Sequence, residues 1–589
     1  MFQKFESSSS PLQGPPRLRA LRAAMVKNGV DAFFVPRADV HQGEYVADHD
    51  ARLEWLTGFT GSAGFCIATP DQAGVFIDGR YRVQVRNQIA VNFTAVHWPE
   101  TTAAQWIATN LHAGAKIGFD PWLHTVQDIK DLTATLDSMT MCPSPNLIDT
   151  IWNDQPPPPM ATFFAQDVRL TGENSASKRI RLGEALIADT VVITLPDSIA
   201  WLLNIRGGDV ARNPVPHAFA ILYKSGAVDL FAAQSQVDVV ADHLGSEVKI
   251  HDIATFTSAI KALSGTVQID PKSAPDAVRC ALTATVINAP DPCLLPKAIK
   301  TDVEIAGARA AAVRDGTAMV RFLAWLETEG PKGQLTEIDV VKQLEAFRSA
   351  TNALRDISFE TICGAGPHGA IVHYRVTTDT NSPIRTGELL LVDSGGQYVD
   401  GTTDITRTMI VGDPTDEHCM CYTRVLQGMV ALSRAHFPKG VCGQHLDALA
   451  RLPLWTAGMD YDHGTGHGIG SYLSVHEGPQ GISRRSTVPL EVGMIVSNEP
   501  GYYREGEFGI RIENLITVIQ VPKGIDDRDM LAFETLTLVP FDRRLIDLSL
   551  LSKTERDWID QYHRDTIMLL GPHIDGAAGE WLTTACAPL

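Results

Sequence analysis

The chain is 589 residues long, with 44% hydrophobic and 20% charged residues, the balance of an ordinary soluble globular protein of several domains. A formal charge of −19 argues against a nucleic-acid partner, which needs a basic surface, and no run of 18 or more apolar residues is present to cross a membrane. Nine scattered cysteines, an odd number, and an N-terminus without the apolar core of a secretory signal point to a reducing cytoplasm.

In chain order, helices are predicted over residues 17–27 and 102–111, with strands over 32–36 and 74–78. A glycine-rich stretch at residues 52–64, RLEWLTGFTGSAG, reads either as a tight turn between core elements or as a loop reaching an active site. Four prolines, Pro156 to Pro159, interrupt helix and sheet and mark a boundary. The logic then repeats, with a helix over 175–187 and strands over 190–195 and 218–223. Alternation of this kind predicts two α/β domains, 1–155 and 160–300. Pro290, Pro292 and Pro296 precede the second boundary, and Thr301 with Glu304 forms a capping box opening a long amphipathic helix. Thr336 with Asp339 opens another, carrying Val341, Leu344 and Phe347 on one face. From 301 to 589 the expectation is one α+β domain, helices over a curved antiparallel sheet, with a further helix over 552–570 and an apolar tail at Trp581 and Leu582.

This last domain concentrates the chemistry. Asp393 and Asp404 lie in LLLVDSGGQYVDGTTDITRT, His467 in HGTGHGIGSYLSVHEG, Glu499 in SNEPGYY and Glu513 in GIRIENL. Four carboxylates crowded together are costly without countercharge, because like charges at close range force protonation. Two divalent cations cancel that charge, and oxygen-rich ligation with one imidazole suits manganese, with zinc, cobalt or iron as alternatives. Such ions, roughly 3.5–4 Å apart, polarise a carbonyl and generate a nucleophilic hydroxide at neutral pH. The two aspartates are an odd eleven residues apart, so they converge from neighbouring strands rather than along one. Alternation along residues 509–513 puts Arg511 on the face of Glu513, where it would orient a ligating carboxylate; the alternative is a surface ion pair.

Three further histidines, His373, His463 and His476, flank the acidic set. A histidine beside two cations stays neutral more easily and can donate to a developing oxyanion. The His463–His467 spacing would suit a zinc-binding helix, but Gly464, Gly468 and Gly470 argue against helix there. His368, His418, His436 and His445 receive no functional role, and Cys419 with Cys421 lacks the second pair of a zinc clip.

Together these segments resemble the pita-bread metallopeptidases, which include methionine aminopeptidase, prolidase and aminopeptidase P, and most closely the long, three-domain aminopeptidase P. The resemblance implies two creatinase-like domains ahead of a catalytic pita-bread domain. It implies that Asp393, Asp404, His467, Glu499 and Glu513 hold two metal ions, with Asp404 and Glu513 bridging. It further implies that Glu499 doubles as general base and acid, and that His373, His463 and His476 contact substrate. The expected reaction is hydrolysis of the N-terminal bond of peptides with proline at position two, through a hydroxide bridging the two metals, by a homodimer. A prolidase-type dipeptidase and a non-catalytic peptide-binding module on the same scaffold are the alternatives; the intact ligand set argues against the second.

Overall fold

The computed structural model describes residues 1–523 and 525–589. The chain forms two compact units, one of residues Ser8–Leu294 and the other of Met1–Ser7 with Leu295–Leu589.

The first unit holds two six-stranded sheets. One contains β1 (Ala32–Pro36), β2 (Phe65–Ala68), β3 (Ala73–Ile77), β4 (Thr94–His97), β5 (Lys116–Phe119) and β6 (Thr140–Pro143) in the order 4-3-2-1-5-6. The other contains β7 (Thr190–Ile193), β8 (Phe219–Tyr223), β9 (Val228–Phe231), β10 (Val248–His251), β11 (Thr266–Ile269) and β12 (Thr285–Asn288) in the order 10-9-8-7-11-12. The orders are the same, and so is every pairing sense: the central strand is antiparallel to one neighbour and parallel to the other in both. Period-two alternation explains how β1 is covered on both faces. Phe33 and Val35 join a cluster with Leu18, Leu21 and Met25 of helix Gly14–Asn28, whereas Ala32 and Phe34 join Ile107 of helix Ala103–Asn110.

In the second unit, helix Asp302–Glu329 begins at the predicted capping box: Thr301 Oγ1 accepts from the Glu304 amide, and Glu304 Oε2 accepts from the Thr301 amide. Such a cap contributes about 1 kcal/mol. Helix Glu337–Ser349 is capped in the same way by Thr336 and Asp339. Both helices bury Met319, Phe322, Val341 and Leu344 against Leu390, Val392 and Met409 of a three-stranded antiparallel sheet. That sheet comprises β13 (Ile362–Ala365), β14 (Leu389–Ser394) and β15 (Ile405–Ile410), with β14 central. The larger sheet of this unit contains β16 (Phe437–Pro438), β17 (Gly466–Gly468), β18 (Glu477–Ile482), β19 (Ile495–Asn498), β20 (Asn514–Val521) and β21 (Met530–Thr535), ordered 16-21-20-19-17-18. Helix Gly443–Trp455 covers it, placing Leu446 and Ala450 with Ile482, Val496 and Ile516.

Two details differ from the sequence expectations. The expected strand over 509–513 is broken, one strand ending at Arg511 and β20 beginning at Asn514. The Glu513 amide turns to the Thr406 carbonyl (3.1 Å), which takes Ile512 and Glu513 out of the ladder. Residues Met1–Ser7, expected at the head of the first domain, belong to the unit of residues 295–589, with Phe5 buried in the cluster of Met319 and Tyr374. The C-terminal helix Gly576–Ala585 packs on its own unit, Leu582 joining Val320 and Leu570 and Trp581 Nε1 donating to Glu327 Oε2 (3.0 Å).

Candidate metal centre

The run Leu389–Val392 is apolar throughout, which suits the centre of a sheet covered on both faces. Asp393 follows at its end, opposite Ile362 on one side and Thr406 on the other. Asp404 immediately precedes β15, whose first residue, Ile405, pairs with Ser394. The two aspartates thus meet at one end of the sheet. His467 is the middle residue of β17, where the ladder is irregular between His467 and Gly468. A bulge of this kind re-aims a side chain. The flanking glycines are needed there: a Cβ on Gly466 would lie 1.9 Å from the Ser497 carbonyl oxygen, and one on Gly468 2.3 Å from Gln480 Nε2. Glu499 follows β19, tied back by its amide to the Thr465 carbonyl at 2.8 Å.

His467 Nδ1 lies 2.9 Å from the Gly468 carbonyl, which can only accept, so Nδ1 carries the proton and Nε2 offers its lone pair. That Nε2 is 3.5 Å from Asp404 Oδ2 and 3.5 Å from Glu499 Oε1. One ligand atom each of Asp404, His467 and Glu513 lies within 4.8 Å of the others. Burial, and then the charges of Asp393 and Glu499, push the Asp404 carboxyl well above the usual range. Burial, and then Asp404 and Glu499, do the same to Glu513. Burial pushes Glu499 up to about 7, with Asp393 adding and Arg511 and His476 opposing. Asp393 Oδ1 and Asp404 Oδ1 are buried and accept no hydrogen bond among the described residues. Buried acceptors without donors, beside carboxyls that resist ionisation, match what divalent cations relieve. The donor set of four carboxylates and one imidazole fits such ions.

Arg511 is fully buried and donates through Nη2 to Asp393 Oδ2 at 2.6 Å. The same Nη2 reaches the Val372 carbonyl at 3.3 Å, which fixes the backbone beside His373. Its Nη1 donates to the Tyr503 hydroxyl at 2.6 Å. His463 donates Nδ1–H to the Gly464 carbonyl at 2.7 Å, so its Nε2 accepts from the Tyr503 hydroxyl at 2.8 Å. His463 is therefore wired through Tyr503 and Arg511 to Asp393. The His476 ring lies 4.2 Å from that of His467, edge to face. Its neighbour Glu477 is buried with Lys297 (3.0 Å) and Lys300, an ion-paired anchor for the start of β18.

The sequence reading missed Tyr503, Thr406, Ser497 and Glu337. Thr406 Oγ1 donates to Glu513 Oε2 (2.8 Å) and Ser497 Oγ to Glu499 Oε1 (3.1 Å). Glu337, fully buried, accepts from the Ala365 and Ser382 amides and the Tyr374 hydroxyl and meets His368 Nδ1 at 2.9 Å, organising the segment that carries His373. Thr406 stands in the segment of the two aspartates, and Ser497 and Tyr503 in SNEPGYY, but nothing in their residue types marks them as partners of the candidate ligands. His463 lies outside any helix and His467 in a strand, and all nine cysteines are free. His418 and His445 each act in a helix N-cap, and Cys419 donates to a backbone carbonyl.

Residues 306–520 match the model of metallopeptidase family M24, and 529–589 its C-terminal region. Residues 17–151 and 154–304 each match the creatinase/prolidase N-terminal domain. A probable Xaa-Pro aminopeptidase P from Laccaria bicolor is 40% identical over 97% of this chain and 93% of its own length. The chain belongs to the Xaa-Pro aminopeptidase P family. The crystal structure of the Caenorhabditis elegans X-prolyl aminopeptidase, described as a cytosolic enzyme with a di-nuclear active site, superimposes with a TM-score of 0.93 at 33% identity. That match covers 98% of this chain and 99% of the other. A Xaa-Pro dipeptidase from Bacillus anthracis is covered over 99% of its length by only 63% of this chain (TM-score 0.52, 26% identity). The fold is two creatinase-type domains followed by a pita-bread catalytic domain, and the chain is a metallopeptidase rather than a binding module. Among the described residues no helix is long and apolar enough to cross a membrane.

Proposed function

We propose that this chain removes the N-terminal residue from peptides with proline at position two, using two divalent cations, manganese first, with zinc or cobalt able to substitute. The observation that carries this reading is the convergence of Asp404, His467 and Glu513 beside Asp393 and Glu499, with buried carboxylate oxygens left without donors. Asp393, Asp404, His467, Glu499 and Glu513 would hold the ions. When bound, such ions supply Lewis acidity and lower the pKa of water.

The side chains do the rest. Glu499, with Ser497 steadying Oε1, takes a proton from the attacking water as the new C–O bond forms. It delivers that proton to the proline nitrogen as the C–N bond breaks, so the leaving group departs as a neutral secondary amine. Arg511 orients Asp393 through the 2.6 Å bond to Oδ2. His373, His463 and His476 contact substrate, His476 being the group that donates to the carbonyl oxygen as it gains charge. The scissile amide of an Xaa–Pro bond has no N–H, so recognition falls on ring shape, for which imidazole walls are suited.

A prolidase activity is the second reading. The added chain length relative to the dipeptidase from Bacillus anthracis favours the aminopeptidase. An Xaa-Pro-Xaa tripeptide and the Xaa-Pro dipeptide, assayed in parallel with manganese, zinc, cobalt and chelator, separate them. The tripeptide is expected to be cleaved and the dipeptide spared; the reverse would install the dipeptidase. A cytoplasmic location is supported by the cytosolic relative. A homodimer, resting on family resemblance, is tested by sedimentation.

A further inference from the structure

Residues Met1–Ser7 precede the first creatinase-type match, which begins at residue 17, yet they pack with residues 295–589. Their contacts bracket the segment that bears His373. Before it, Gln3 and Thr361 exchange two hydrogen bonds: the Thr361 amide donates to Gln3 Oε1 (2.8 Å), and Gln3 Nε2 donates to the Thr361 carbonyl (3.3 Å). After it, the Thr378 amide donates to the Phe5 carbonyl (2.8 Å), and Arg375 Nη2 reaches the Lys4 carbonyl (3.3 Å). Phe5 is buried in the apolar cluster containing Tyr374, which follows His373 in the chain, and Val376. The strap is itself anchored, since Glu345 accepts from the Phe2 amide (2.6 Å) and the Gln3 amide (3.2 Å).

We propose that residues 3–5 are a positioning strap that holds residue 373 at the edge of the metal centre. Residues 366–378 contain one short 3-10 turn and otherwise no regular structure, so few ladder hydrogen bonds restrain them. They are restrained from outside instead. Glu337 holds them from the helix side, and Arg511 grips the Val372 carbonyl from the metal side. The strap adds a further hold, tying residues 361 and 378. A side chain that must sit within a few tenths of an ångström of a reacting group needs support of this kind. Gln3 and Phe5 touch no substrate in this scheme; they act through the backbone that carries His373. The inference rests on the substrate-contacting role proposed for His373.

The test pairs a structural with a kinetic readout on the metal-loaded protein, using Gln3→Ala/Phe5→Ala and the milder Gln3→Ala. Amide hydrogen exchange over residues 371–378 is expected to quicken at least tenfold in the double variant and less in Gln3→Ala, while residues 389–411 keep their protection. Unchanged exchange at 371–378, or equal loss at 389–411, overturns the strap. On a tripeptide substrate, kcat is expected to fall several-fold with metal content unchanged, and that fall should vanish in a His373→Ala background. An equal fall in both backgrounds also overturns it. If exchange quickens as expected but His373→Ala is kinetically silent, the strap's hold on the loop stands and the role of His373 falls.

Discussion

Glu499 offers the clearest energetic test of the crowded carboxylates. In the metal-free protein, burial and the neighbouring Asp393 hold its carboxyl at about 7, against an ordinary 4.5. The folded state therefore binds a proton between pH 4.5 and 7 that the unfolded chain has already released. Stability must fall as pH rises through that window, by about 3 kcal/mol from this group alone when the full shift is exposed. Glu499→Gln removes the titration while keeping the shape. In chelator-stripped protein the variant should gain on wild type as pH rises, the difference growing by about 3 kcal/mol between pH 4.5 and 7.5. Calorimetry of both metal-free proteins across that range reads this as an apparent Tm difference widening by several degrees. Adding manganese at pH 7.5 should reverse the order, since wild type keeps its full ligand set. A difference that stays flat with pH would mean that Glu499 ionises freely. The reasoning that the centre is a pool of charge awaiting cations would then be wrong.

Glu513→Gln should lower metal retention and turnover together, because its carboxylate lies against both Asp404 and Thr406; near-normal activity with full metal content would refute its assignment. His476→Ala should reduce kcat at least tenfold while metal content holds, and metal loss would instead make it a ligand. His563 is fully buried, its pKa pushed down to about 3 by burial and by the Arg543 and Arg407 charges, and its Nε2 accepts from the Phe541 amide. Below its ordinary 6.5 the unfolded chain takes up a proton that the folded chain refuses. Stability is therefore lost from pH 6.5 down to 3, by as much as about 5 kcal/mol. His563→Gln should flatten that part of the acid-unfolding curve, and an unaltered slope would contradict the burial argument.

Much of the fold was legible because it is written in local chemistry. Thr301 with Glu304, and Thr336 with Asp339, announce helix starts through side chains that reach only three residues, and both boxes form. The strand over residues 32–36 is likewise announced by β-favouring residues next to turn formers. The repeat of the two leading domains was legible as a recurring alternation of helices and strands, whereas their shared strand order and pairing sense were not, since these depend on which residues pair across long separations. At the metal centre the candidate ligands stood out by residue type and flanking pattern. Their partners did not: the hydroxyls of Thr406, Ser497 and Tyr503 gain significance only when folding sets them against Glu513, Glu499 and Arg511. The break after Arg511 escaped alternation because the Glu513 amide bonds to Thr406, more than a hundred residues away in sequence. Residues 1–7 escaped for the same reason, Gln3 finding its partner at Thr361.

The central claim is that five side chains from separate segments hold a pair of divalent cations. Elemental analysis of purified, metal-replete protein tests it most directly, with Asp404→Asn measured alongside. About two ions per chain in wild type, falling to one or fewer in the variant with loss of tripeptide cleavage, is the predicted result. Fewer than about one ion per chain in an active wild type would contradict it.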